Sequence, residues 1–176
     1  MDEFDDDRLR ALLPSLRRFA RSLTGDTANA DDLVQSALER ALSHWQSRRD
    51  DTALQSWLLS IVYRQFVDDY RRTARWQRVL GFFGLQAAES APPPDRVHEG
   101  RAQLAAFAEL PAEHRALLVL IGVEGFGYRE AAELLGVPVG TVMSRLSRAR
   151  EKLRLLGEGI APAAPPLRVL VNRSPP

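Results

Sequence analysis

The chain has 176 residues, 45% hydrophobic and 27% charged, with a formal net charge of +1 and no cysteine. The missing thiols exclude disulfide frameworks, thiolate zinc sites and a cysteine nucleophile, and His44, His98 and His114 show no metal-ligand spacing. No run of ~18 apolar residues is present to span a membrane. The acidic start Met1-Asp-Glu-Phe-Asp-Asp-Asp lacks both parts of a secretory signal, so the expected home is a reducing cytoplasm.

Apolar residues recur at helical spacing and no segment alternates as a half-buried strand would, so the expected fold is all-α. It divides into two small helical domains joined by a flexible linker. In the first, residues 1–75, Leu9, Leu12, Leu13, Leu16, Phe19, Ala20 and Leu23 form one stripe that ends at Gly25. A second helix opens at Asn29-Ala-Asp-Asp and carries Leu33, Val34, Ala37, Leu38, Ala41, Leu42 and Trp45. After the polar interval 46–52 a third helix, roughly 53–75, carries Leu54, Trp57, Leu58, Ile61, Val62, Phe66 and Tyr70. It finishes in Arg71, Arg72 and Arg75, which complement the helix dipole. Periodicity fails from Trp76 to Glu99, where Gly81, Gly84 and Ala91-Pro-Pro-Pro mark the linker, residues 76–99. The second domain covers 100–157. The Ala- and Pro-rich tail, 158–176, reads as disordered apart from Leu167-Arg-Val-Leu-Val, which could dock as a short strand.

The near-neutral net charge conceals an uneven distribution. Residues 2–7 hold five acids, whereas Gly127–Gly157 holds six bases (Arg129, Arg145, Arg148, Arg150, Lys152, Arg154) against three acids (Glu130, Glu133, Glu151). A nucleic-acid contact and a solvated helix face give the same counts.

The stretch from Tyr128 to Arg154 reads as two helices joined by a tight turn. Ala131, Ala132 and Leu135 form the inner face of the first, and Gly136 supplies a left-handed C-terminal cap. Val137 plugs the corner, Pro138 prevents helix continuation, and the second helix starts near Gly140-Thr141. There Val142, Leu146, Ala149 and Leu153 share one face, which turns Ser144, Ser147, Arg148, Glu151 and Arg154 outward. An ordinary αα-hairpin would look similar. The Gly-x-Pro-x-Gly-Thr turn combined with a basic outer face favours DNA binding, with the first turns reaching base edges and later arginines holding phosphates.

Two sets of residues then resemble one family, the extracytoplasmic-function sigma factors of bacterial RNA polymerase. Leu110-Pro-Ala-Glu-His-Arg-Ala-Leu-Leu-Val-Leu, Glu124-Gly-Phe-Gly-Tyr-Arg-Glu-Ala-Ala and Val137-Pro-Val-Gly-Thr-Val-Met-Ser-Arg-Leu-Ser-Arg-Ala-Arg resemble their region four. Asp31-Asp-Leu-Val-Gln-Ser-Ala-Leu-Glu-Arg-Ala and Ser56-Trp-Leu-Leu-Ser-Ile resemble region two. The resemblance implies a protein that binds core RNA polymerase and promoter DNA, catalyses nothing itself, needs no cofactor or metal, and answers to an anti-sigma factor. It places Asp31, Asp32 and Gln35 against the polymerase clamp, helix capping being their alternative role. It places Gly140, Thr141, Met143, Ser144, Ser147 and Arg148 at the minus-thirty-five element, with Arg148 able to pair with guanine bidentately. Arg48, Arg49, Asp51, Thr52 and Arg64 are implied at the minus-ten element, where a flipped base needs a pocket and a stacking partner. Arg64 stands where the family commonly has asparagine, and Met143 replaces a residue that is often polar or basic. Trp57, on the apolar stripe, reads as core.

Two rival readings fit parts of the same sequence. A sigma-like decoy would bind an anti-sigma factor but no promoter, and an ordinary helix-turn-helix regulator would leave the region-two resemblance unexplained. No phosphate-loop, paired-histidine or serine-elbow pattern supports an enzyme.

Overall fold

A computed structural model describes residues 6–45, 54–82 and 105–157, with backbone alone from 76 to 82. Within these residues the fold is all-helical: α1 (Asp6–Thr24), α2 (Thr27–Ser43), α3 (Leu54–Phe82), α4 (Ala112–Gly122), α5 (Tyr128–Leu135) and α6 (Val139–Gly157). One further helical turn, 105–108, leads towards α4. Arg48, Arg49, Asp51, Thr52, most of the linker and the tail, including its strand-like Leu167–Val171, lie outside the described residues.

The first stripe behaves as its spacing predicts: Leu9, Leu16, Phe19, Ala20 and Leu23 are buried, and Gly25 ends the helix at a φ of 82°. The second helix starts earlier than the sequence reading placed it. Asp26, in extended backbone, caps it by accepting from the Asn29 N–H at 3.0 Å. That hydrogen bond also holds the Asp26 carboxyl below its usual range. Asp31 and Asp32 therefore lie within the second turn and cap nothing. The third helix also runs longer than the sequence reading, to Phe82, because nothing before Gly81 interrupts it. Leu42 and Tyr70, both read as part of apolar stripes, are 50% and 68% exposed. Leu42 sits in the last turn of α2. Tyr70 lies at the groove beside the first turns of α2, with Asn29, Asp32 and Leu33.

α1, α2 and α3 pack on one another, α4 lies on α1, α5 lies on α3, and α6 closes over α4 and α5. The two blocks, separate in sequence, thus share one apolar core in which Leu16, Phe19, Leu58 and Leu59 join Leu117, Leu120, Val142 and Leu146. Trp45 meets Trp57 edge-on with centroids 6.1 Å apart, and both are half-buried against the core, the side to which the stripe assigns Trp57.

Polar side chains cross the seam between the blocks at two places. The Arg115 guanidinium on α4 donates to the carbonyls of Ser22 (2.5 Å) and Leu23 (2.9 Å) at the C-terminus of α1. It also donates to Leu110 (2.5 Å) and Ala108 (3.1 Å) on its own side. A cation at a helix C-terminus satisfies carbonyls that the helix leaves without partners. At the second place, Gly125 turns the chain with a φ of 77° and presents the preceding Glu124, whose side chain is 4% exposed. Its carboxylate accepts from Ser15 Oγ (2.8 Å), Arg18 Nε (2.7 Å) and Gln55 Nε2 (3.2 Å), three donors from α1 and α3.

Two stability predictions follow from this packing. Phe19→Ala, at a fully buried site, should cost about 3–5 kcal/mol in a denaturant titration. His114 is the second case, because its Nδ1 is buried with no partner among the described residues. Burial, then the nearby Arg145, Lys152 and Arg148 charges, hold its pKa below 6.5, against the opposing pull of Glu113. Above pH 6.5 the imidazole is neutral folded and unfolded; below it the unfolded chain takes up the proton first, so stability falls as pH drops and levels off below the folded pKa. Denaturant midpoints measured from pH 7.5 to 5 should decline in the native chain and decline less in His114→Gln.

Candidate nucleic-acid interface

The corner between α5 and α6 is built as its residues require. Glu130 reaches back to the Gly127 N–H at 2.6 Å and fixes the start of α5. At its end Gly136 takes the left-handed conformation (φ 66°, ψ 38°), and the Gly136 and Val137 N–H groups return to the carbonyls of Glu133 (3.2 Å) and Ala132 (3.0 Å). The Pro138 carbonyl then accepts from Thr141 (2.9 Å) and Val142 (3.2 Å), so α6 begins at Val139, one residue before Gly140. Gly140 has open space where a Cβ would stand, which leaves its backbone approachable.

α6 has two distinct faces. Val142, Leu146 and Ala149 are buried, and Leu153 is half-buried. Met143, Ser144, Ser147, Arg148, Glu151 and Arg154 are exposed together, Met143 to 53%. The outward face is therefore the one the helical period assigns. Its cations are not equivalent: Arg145 is tied to Glu113 at 3.3 Å and Arg154 to Glu151 at 2.9 Å. Arg148 and Arg150 have no ion-pair partner among the described residues and remain available for an anion or a base edge. Ser144 Oγ donates to the Thr141 carbonyl at 3.1 Å, which leaves its lone pairs outward.

Two residues beside this face escaped the sequence reading. Tyr128, 39% exposed at the start of α5, and Arg150 line a shallow depression of about 630 Å³ with Met143, Ser147 and Arg154. The helical spacing 143, 147, 150, 154 carries the signal for Arg150. Nothing local signals Tyr128, which reaches the face from another helix.

On the first block Asp31, Asp32 and Gln35 are exposed on one side of α2. Asp31 is 3.2 Å from Arg17 of α1, and Gln35 donates to Glu39 at 3.2 Å. Asp32 edges a groove of about 360 Å³ that continues over Leu33, Phe66 and Tyr70, whose rings stack 6.3 Å apart. Arg64 is exposed elsewhere, at a cleft of about 290 Å³ where α3 meets Leu134, Leu135 and Gly136. The structure therefore gathers Met143, Ser144, Ser147 and Arg148 on one face of α6 and Asp31, Asp32 and Gln35 on one side of α2, and sets Arg64 apart from both. Among the described residues no group of side chains could hold a metal ion, and no helix is long and apolar enough to cross a membrane.

Comparison with known proteins gives the same two-part picture. Residues 9–63 match the family profile "Sigma2 domain of PhyR", and residues 101–153 match "Sigma-70, region 4". The chain is 40% identical over 155 residues to the ECF RNA polymerase sigma factor EcfG of Rhodopseudomonas palustris, covering 88% of this chain and 85% of that one. It is 36% identical over 144 residues to SigL of Mycobacterium tuberculosis, covering 80% and 81%. Among solved structures it resembles the sigma factor RpoE of Bartonella quintana, crystallised with the anti-sigma factor NepR, with a TM-score of 0.71, 32% identity, and coverage of 86% and 95%. It also resembles CnrH, solved with the cytosolic domain of CnrY, with a TM-score of 0.61, 25% identity and 88% coverage of each chain. With both conserved regions in order on an all-helical frame, the chain belongs to the extracytoplasmic-function sigma factors, the proteins that bind core RNA polymerase and direct promoter-specific initiation of transcription.

Proposed function

We propose that residues 1–75 act as region two and residues 100–157 as region four, tethered by 76–99, and that the exposed basic face of α6 is the surface that reads the minus-thirty-five element. The observation that carries this reading is the set of polar and uncommitted basic side chains on one face of a helix that follows a tight glycine-capped turn. Arg148 reaches a base edge, Met143 meets a thymine methyl, and Ser144 and Ser147 accept or donate at neighbouring positions. Arg150 and the backbone around Gly140 and Thr141 serve phosphates, which position the helix without reading sequence.

On the first block, Asp31, Asp32 and Gln35 face the polymerase clamp, and the groove beside Asp32 gives that contact an apolar floor. Arg64, with Arg48, Arg49, Asp51 and Thr52, serves the minus-ten element. The protein works in the cytoplasm and carries no catalytic chemistry of its own; promoter opening draws on binding energy within the holoenzyme. Because the RpoE relative is held by NepR, an anti-sigma factor of that type is proposed as the partner that keeps this chain inactive.

The match to the PhyR sigma2 profile gives the decoy reading a specific footing, because PhyR of Bartonella quintana, solved with NepR, is named an anti-anti-sigma factor. Against it stand the basic outer face of α6 and 40% identity to a relative named as a sigma factor. Run-off transcription from a promoter library decides between them. Core polymerase with this chain should initiate specifically, and Arg148→Ala should lose about 1–3 kcal/mol of discrimination at one position of the minus-thirty-five element. Binding to core enzyme without initiation would establish the decoy instead. A pull-down from unstressed native cells should recover a stoichiometric partner other than polymerase; recovery of polymerase alone would count against the anti-sigma proposal.

A further inference from the structure

A second cluster of cations lies away from the outer face of α6. Arg40 of α2 and Arg64 and Arg71 of α3 line a cleft of about 290 Å³ that Leu134 and Gly136 of α5 close on the other side. Asp68 is the one acid among the described residues that line it, so three cations stand against one carboxylate and the rim carries a net charge of +2.

Two of these arginines are uncommitted where commitment is easy. Arg64 lies four residues before Asp68 and Arg71 three residues after it, the spacings at which side chains on a helix meet. One residue further on, Arg72 does pair with Asp69 across the same three-residue spacing, at 2.7 Å. Neither Arg64 nor Arg71 pairs with Asp68 or with any other acid among the described residues. The Arg40 guanidinium makes one long contact, to Gln65 Oε1 at 3.4 Å. Each guanidinium has five donors, so most of those around the cleft are unused.

The floor beneath them is apolar: Tyr63 and Leu134 are buried there and Val67 is half-buried. Burial raises the Tyr63 pKa and the Arg71 charge opposes the rise, so the field of the rim reaches the floor. A nucleic-acid strand tracks along an open positive groove. This cleft is instead closed by α5 on one side and lies near the lower end of the roughly 300–1,000 Å³ that small-molecule sites occupy. Its size selects a small ligand, its guanidinium rim a phosphate, and its net charge a phosphate chain over a monoanion.

The geometry points to a binding site for a small polyphosphate anion in the cleft between α3 and α5, held by Arg64 and Arg71, with Arg40 assisting and Asp68 opposing. A nucleotide and a free polyphosphate share this chemistry, and a nucleotide would also lay its ring on the apolar floor. On the reading of Arg64 as a minus-ten residue, a loaded cleft withholds that side chain from the promoter.

The test is isothermal titration calorimetry on the free full chain without magnesium, so its result does not depend on the promoter reading. The probes are tripolyphosphate and ATP. Arg64→Gln and Arg71→Gln, both at exposed positions, should each weaken binding at least about tenfold. Asp68→Asn should tighten it about threefold, a gain that a merely structural role would not produce. Arg129→Gln, which removes an exposed cation of α5 outside the cleft, should leave binding unchanged. ATP binding more tightly than tripolyphosphate assigns the site to nucleotides; equal or weaker binding of ATP assigns it to free polyphosphate. If neither probe binds, there is no such site. Binding that Arg64→Gln and Arg71→Gln leave intact overturns it as well, since the anion then sits elsewhere. A short single-stranded oligonucleotide that is weakened by the same two variants, and that neither probe displaces, would replace the proposal with a nucleic-acid contact.

Discussion

The helices of the second block complete their apolar core against the first block, and this shared core shapes the rest of the molecule. α4 lays Leu117 and Leu120 into the core shared with α1, and α5 turns Leu134, 3% exposed, towards α3 while Ala131 and Ala132 serve α6. Once α4 and α5 have committed their apolar faces inward, the outer face of α6 is left to solvent, and its polar and basic side chains follow from that. The exposed basic face of α6 is therefore a by-product of how the core is completed.

Apolar burial supplies adhesion without direction, and the polar contacts at the seam supply the direction. A buried carboxylate with three donors tolerates little displacement, because losing any donor leaves charge without compensation in a poorly solvated place. Arg115 makes the same demand from the other side, with burial lowering its pKa from the ordinary value. Glu124 and Arg115 thus fix the register of α4 against α1 in a way that Leu117 and Leu120 alone could not.

Much of this was legible in the sequence because it is local. The stripe from Leu9 to Leu23, the stops at Gly25 and Gly136, and the outward set Ser144, Ser147 and Arg148 each depend on spacing within one helix. The errors came where the deciding partner was distant or the boundary was subtle. Asp26, not Asn29, opens α2, since an aspartate following glycine gives a weaker pattern than two adjacent acids. Leu42 and Tyr70 lie on apolar stripes yet are left exposed. Leu134 looked unremarkable because its partner is α3, and the contacts of Glu124 span 69 to 109 residues of chain, with no periodic signature. The clamp role proposed for Asp31, Asp32 and Gln35 rests on resemblance alone, and the Arg17–Asp31 pair is a contact that spacing could not reveal.

The length of α3 has a consequence for the promoter itself. Residues 76–82 advance about 1.5 Å each as helix, against about 3.3–3.6 Å each if extended. Keeping these seven residues coiled withholds about 13 Å of reach, equivalent to nearly four base pairs at about 3.4 Å per pair. If the two blocks read the two promoter elements as proposed, sequence changes that melt or prolong this helix end shift the separation they can bridge, without touching a residue proposed to contact DNA.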